Sequence, residues 1–145
     1  MKKINFSIFL FALILLMGCK KDEPTPCELL QGDWQCESWQ QDGVEYFGNQ
    51  AGISSSRIDF GQLPGLSRDG ERLQGDFDWV INFSDGSTET IVGKYNSKCD
   101  LIGSEITLDF DGGGMSELDF TILNDKLTLE GKFFIFDLKL DFERD

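Results

Sequence analysis

The sequence predicts an all-β fold, an eight-stranded up-and-down antiparallel β-barrel behind a cleaved leader and a short tether. Three observations carry this expectation. Apolar and polar residues alternate along most stretches after residue 27, the pattern of strands with one dry face and one wet face. Gly, Asp, Asn and Ser cluster between those stretches at hairpin spacing. No stretch after residue 27 repeats with the helical period of 3.6. Closure would pair the strand edges that such a chain otherwise exposes. An open sandwich is the alternative, and the lack of a long crossover after residue 71 weighs against it.

The leader comes first. Lys2 and Lys3 form a basic start, and the run from Ile4 to Met17 is mostly apolar. A spanning helix needs ~20 apolar residues, so this run suits a cleaved signal peptide over residues 1–18. It ends in Leu16-Met17-Gly18-Cys19, which resembles the bacterial lipobox. The resemblance implies cleavage before Cys19, diacylation of its thiol and acylation of the new amine. Several acyl chains at ~0.8 kcal/mol per buried CH₂ make a lasting membrane anchor. Residues 19–26 then form a lipidated tether, stiffened by Pro24 and Pro26. Lys20 stands where the inner-membrane retention rule requires Asp. Lys20-Lys21-Asp22-Glu23 resembles a surface-export signal, so the expected location is the outer membrane, with a surface-exposed orientation open.

Residues 27–145 form the barrel domain. In Gln31 to Gln40, Trp34, Cys36 and Ser38 share one face, while Asp33, Gln35, Glu37 and Trp39 share the other. Asp42-Gly43 marks a turn, Val44 to Phe47 is a short apolar patch, and Ser54-Ser55-Ser56 reads as loop. Arg57 to Gly61 is a strand through Ile58 and Phe60, and Gln62 to Gly70 is a connection. Arg72 to Phe83 aligns Phe77, Trp79, Ile81 and Phe83 on one side. Ser84 to Ser87 turns into a strand over Thr88 to Asn96, and Ser97 to Asp100 turns again. Glu105 to Asp111 presents Ile106, Leu108 and Phe110, and three glycines break it. Met115 to Leu123 presents Leu118, Phe120 and Ile122, Asn124-Asp125 turns, and Lys126 to Glu130 presents Leu127 and Leu129. Gly131-Lys132 leads into the longest strand, with Phe134, Phe136, Leu138, Leu140 and Phe142 inward.

Leu30-Gln31-Gly32-Asp33-Trp34 resembles the Gly-x-Trp opening of lipocalins and related calycins. Phe120 to Leu123 and Lys126 to Leu129 are similar to the lipocalin-like domains of small bacterial lipoproteins. In that family the opening Trp packs against an Arg from the end of the last strand. The resemblance therefore implies that Trp34 and Arg144 meet at the barrel floor, by a cation–π contact of ~1–2 kcal/mol if desolvated. Arg144 has the parity of the inward residues, and a frayed, exposed terminus is the alternative. Other lipocalin motifs are not recognisable.

With Cys19 lipidated, Cys27, Cys36 and Cys99 remain. In the eight-strand arrangement Cys27 and Cys99 both fall at the lower rim. The expectation is a Cys27–Cys99 disulfide with Cys36 free and buried; Cys36–Cys99 is the competing pair. A loop of about 70 residues makes such a bond worth ~4 kcal/mol in the chain-entropy picture.

Composition bounds the function. Lys2 and Lys3 leave with the leader, so the formal charge moves from −13 to −15. Such acidity disfavours nucleic acid and anionic headgroups. There is no His, no paired Cys spacing, no nucleophile elbow and no phosphate loop, so neither a metal, a cofactor nor an enzymatic activity is expected. Asp109, Asp111, Glu117 and Asp119 do not fit a calcium loop and read as a solvated face. A monomer is expected.

An eight-stranded interior is either filled by side chains or holds one small ligand. The many inward aromatics favour filling. Any pocket should open at the upper rim and take a small hydrophobic ligand, with Trp79, Phe83, Phe110, Phe120 and Phe136 as candidate walls. Two functions follow: a lipid-anchored carrier of a small hydrophobic molecule, or a solid accessory module whose rim contacts a protein or polysaccharide. A continuous cavity of about 300 Å³ or more under the upper rim separates them in favour of the carrier.

Overall fold

Among the described residues, nine strands hydrogen-bond in one antiparallel sheet that closes on itself. They are β1 (Gly32–Gln41), β2 (Val44–Glu45), β3 (Ile53–Phe60), β4 (Arg72–Phe83), β5 (Thr88–Cys99), β6 (Ser104–Phe110), β7 (Met115–Leu123), β8 (Lys126–Phe133) and β9 (Phe136–Arg144). The computed structural model describes residues 24–48, 52–61, 72–99 and 103–145. The leader, Cys19, the connection over 62–70 and Asp100 lie outside the described residues. Each strand from β3 onward pairs with its chain neighbour, and β9 returns to β1. Eight strands thus form the expected up-and-down barrel, and β2 is a two-residue addition against the end of β1.

The tight links follow local turn chemistry. Asp42 and Gly43 both have positive φ, as do Asn124 and Asp125, the backbone that two-residue hairpins require. In the β4–β5 turn, the Asp85 carboxylate accepts from the Ser87 N–H at 2.8 Å and its hydroxyl at 2.6 Å. Those two bonds hold the Asp85 carboxyl below its ordinary pKa.

Several boundaries differ from the sequence reading. Ser54, Ser55 and Ser56 belong to β3 because each hydroxyl finds a partner in β4: Ser54 donates to Asn82 O, Ser55 accepts from Asn82 Nδ2, and Ser56 accepts from Trp79 Nε1. Ser97 and Lys98 extend β5, where the buried Ser97 hydroxyl donates to Leu73 O at 3.1 Å. Gly131-Lys132 is not the turn. Phe133 pairs with Phe136, so the turn is Phe134-Ile135, with Phe134 at φ +55. That is a conformation bulky residues rarely adopt.

Ser38 and Trp39 exchange faces relative to the sequence reading. A bulge between Cys36 and Ser38 places Glu37 as an extra residue against β9 and reverses the parity beyond it. Trp39, read as outward, therefore points inward and is buried. The Glu45 carboxylate fixes this bend by accepting from Ser38 Oγ, Trp39 N and Phe47 N at 2.6 to 2.9 Å. Partial burial works against that anion, but the hydrogen bonds outweigh it and keep its pKa below the ordinary value.

A short helix, α1 (Pro26–Leu30), precedes β1 and was not expected. Thr25 caps it: its hydroxyl accepts from Glu28 N, and the Glu28 carboxylate accepts from Thr25 N at 2.9 Å. Cys27 and Leu30 of this helix are buried under the barrel. The lower half of the interior is solid, with Trp34, Ile58, Phe60, Phe77, Leu129 and Phe142 all at 1% exposure or less. Two inward glycines let the sheet coil this tightly. A Cβ at Gly75 would stand 1.8 Å from Gly61 O, and one at Gly93 would stand 2.1 Å from Asp109 O.

Candidate functional site: a cavity under the upper rim

Above this packed base the barrel opens. A cavity of about 650 Å³ lies under the upper rim, twice the size that favours a binding role. Its base is a chain of aromatic rings. Trp39 lies 5.3 Å from Trp79, Trp79 lies 5.9 Å from Phe133, and Phe133 lies 5.5 Å from Phe110. Phe134 continues the chain at the rim, stacked on Phe110 at 5.8 Å. Trp79 is held in place because its N–H donates to the buried Ser56 hydroxyl at 2.8 Å. A buried indole N–H needs such a partner, and this bond fixes the ring in the wall at the cavity base.

Trp79, Phe83 and Phe110 line the cavity as expected, joined at the mouth by Tyr46. Phe120 is buried but lies outside the lining. Phe136 is 37% exposed and also outside it, because the turn at Phe134-Ile135 shifts the start of β9. Trp39, Phe133 and Phe134 line it instead. The bulge hid Trp39. For Phe133, the signal was the apolar pair Phe133-Phe134 itself, one residue out of register.

The barrel floor has the expected contact. Trp34 and Arg144 are cross-strand partners, and the guanidinium carbon sits 4.3 Å from the centre of the indole ring. Arg144 also donates to Gln31 O at 3.0 Å and to Leu29 O, so it satisfies carbonyls at the end of α1. Trp34 Nε1 donates to Leu30 O at 2.8 Å. Cys27 and Cys99 form a disulfide that ties α1 to the end of β5, and Cys36 is free and buried.

No family model matches the chain, and no curated protein matches it. Among solved structures it is similar to a de novo designed fluorescence-activating β-barrel. The TM-score is 0.54 with 14% identity, over 82% of this chain and 96% of that one. The likeness is one of fold: both chains are β-barrels.

Proposed function

We propose that this protein is a lipid-anchored, lipocalin-like envelope protein whose barrel carries or shelters a small hydrophobic molecule in the upper cavity. The aromatic-lined space of about 650 Å³ carries this reading, because burying an apolar ligand there removes its surface from water on several sides. The Trp34–Arg144 stack supports the lipocalin-like part, the Cys19 lipobox supports lipid anchoring, and Lys20-Lys21-Asp22-Glu23 after it supports the outer membrane. The designed barrel's fluorescence-activating property is compatible with small-molecule binding on this architecture.

Native mass spectrometry of the purified protein tests the proposal. The expected result is a non-covalent adduct of small mass that Ile91→Trp, which fills the cavity from β5, removes while the variant still unfolds in one cooperative transition. An adduct-free protein whose tryptophan fluorescence ignores every apolar probe would overturn it. A second reading rests on the exposed Phe134, Ile135 and Met115 near the mouth, which fit a rim that contacts another protein.

A further inference from the structure

The cavity is apolar at its base but not neutral at its mouth. Residue 89 of β5 pairs directly with Ile81 of β4. Residues opposed in this way present their side chains on the same face of the sheet. Ile81 is 4% exposed and lines the cavity, so Glu89 starts from the interior face of the barrel, in line with Ile91. Asp111, at the start of the β6–β7 turn, also lines the cavity, and its N–H is fixed on Val92 O at 3.0 Å. Among the described residues the lining contains both carboxylates and no Lys or Arg. Among the described residues neither carboxylate takes part in an ion pair; the charged pairs lie elsewhere, as in Lys132–Asp137 and Lys139–Glu130.

Glu89 and Asp111 are both solvent-exposed, so they stand at the mouth of the cavity and not at its base. Below them the cavity is lined by Trp39, Trp79, Phe83 and Phe110, with Tyr46 at the mouth. Ring faces carry negative quadrupole density and attract cations. The two features act in the same direction: they favour a positively charged head at the mouth and oppose a carboxylate, sulfate or phosphate there.

Resting on the cavity-binding reading above, we propose that the ligand is a cationic amphiphile: an apolar body seated on the aromatic base, with an amine or quaternary ammonium head between Glu89 and Asp111. An anionic lipid or fatty acid is disfavoured by the same groups.

Three ligands with one tail and different heads test this: decyltrimethylammonium, decanol and decanoate, each kept below micelle formation. They are titrated into the purified protein with tryptophan fluorescence and calorimetry as readouts. The expected order is cation over alcohol over carboxylate, with the cation favoured about five- to tenfold over the alcohol and less so at high salt. Glu89→Gln and Asp111→Asn should each weaken the cation several-fold and decanol much less, with circular dichroism and the unfolding midpoint reporting that the variants fold. Binding of all three with equal affinity, or a preference for decanoate, would overturn the charge selectivity while leaving the cavity reading intact. If none of the three binds, the cavity reading fails as well.

Discussion

Cys36 shows how a single buried group couples the fold to pH. It sits on the inner face of β1 opposite Phe142, is 2% exposed, and its thiol donates to Ser38 O at 3.3 Å. Burial pushes its pKa from the ordinary 9.0 up to about 12, and the carboxylates of Glu45, Glu37 and Asp141 push the same way. Below about 9 the thiol is neutral in both folded and unfolded chains, so its contribution to stability is constant. As pH rises toward about 12 the unfolded chain ionises first, and stability falls by up to about 1.4 kcal/mol per pH unit. Tyr95, raised by burial and by Asp59 and Asp76, adds to the loss at still higher pH. Denaturant unfolding followed from neutral pH to about 11 should therefore show an alkaline decline that Cys36→Ala makes shallower at its onset. An identical decline in the variant would contradict this. The same thiol should resist labelling in the folded protein and react on unfolding. The position of Cys36 was legible in the sequence by simple alternation. That of Trp39, three residues on, was not, because one bulged residue reverses the count and only the Glu45 contacts across the β1–β2 turn explain why the bulge persists.

At the scale of elements, strand existence was legible and strand ends were not. Alternation marks a strand, but polar residues such as Ser56 and Ser97 read as turn until their partners in the neighbouring strand are known. Helix α1 was illegible for another reason: five residues are too few to display a 3.6 period. So short a helix does not persist alone. It is held by the Thr25 capping box, the Arg144 bonds to its terminal carbonyls, and the Cys27–Cys99 bond, which closes a sequence separation of 72 residues. Replacing both cysteines by Ser should lower stability by ~4 kcal/mol in denaturant unfolding, by the chain-entropy estimate. The helix should also lift from the floor, so that Trp34, now fully buried, meets water and the emission shifts to the red. An unchanged midpoint with unchanged emission would mean that Arg144 and the capping box hold the floor by themselves. The floor contact of Trp34 with Arg144 was legible only through a family resemblance. Parity put Arg144 on the inner face, but nothing local says that a terminal side chain folds back over a ring.

For the whole molecule, the decisive relation is between the two ends of the barrel. The chain enters at the floor, where residues 24 and 25 lead into α1, and the cavity opens at the opposite rim. A lipidated tether over residues 19–25, ahead of α1, would reach at most ~25 Å when fully extended. An acyl chain on Cys19 would thus keep the floor near the bilayer and direct the mouth away from it. The acidic surface, at −15 once residues 1–18 are gone, opposes adsorption to anionic headgroups and reinforces that posture. In detergent phase separation, the protein from the membrane fraction should enter the detergent phase, and Cys19→Ala should leave it in the aqueous phase. Orientation is then read by placing a fluorophore at Leu123→Cys, 68% exposed beside the floor, or at Ile135→Cys, 80% exposed at the mouth. The buried Cys36 and the bonded Cys27 and Cys99 leave the introduced thiol as the reactive one among the described residues. In vesicles carrying nitroxide lipids, the label at 123 should be quenched strongly and the label at 135 weakly. Stronger quenching at 135 would place the mouth on the bilayer, and the ligand would then pass between membrane and cavity without crossing water.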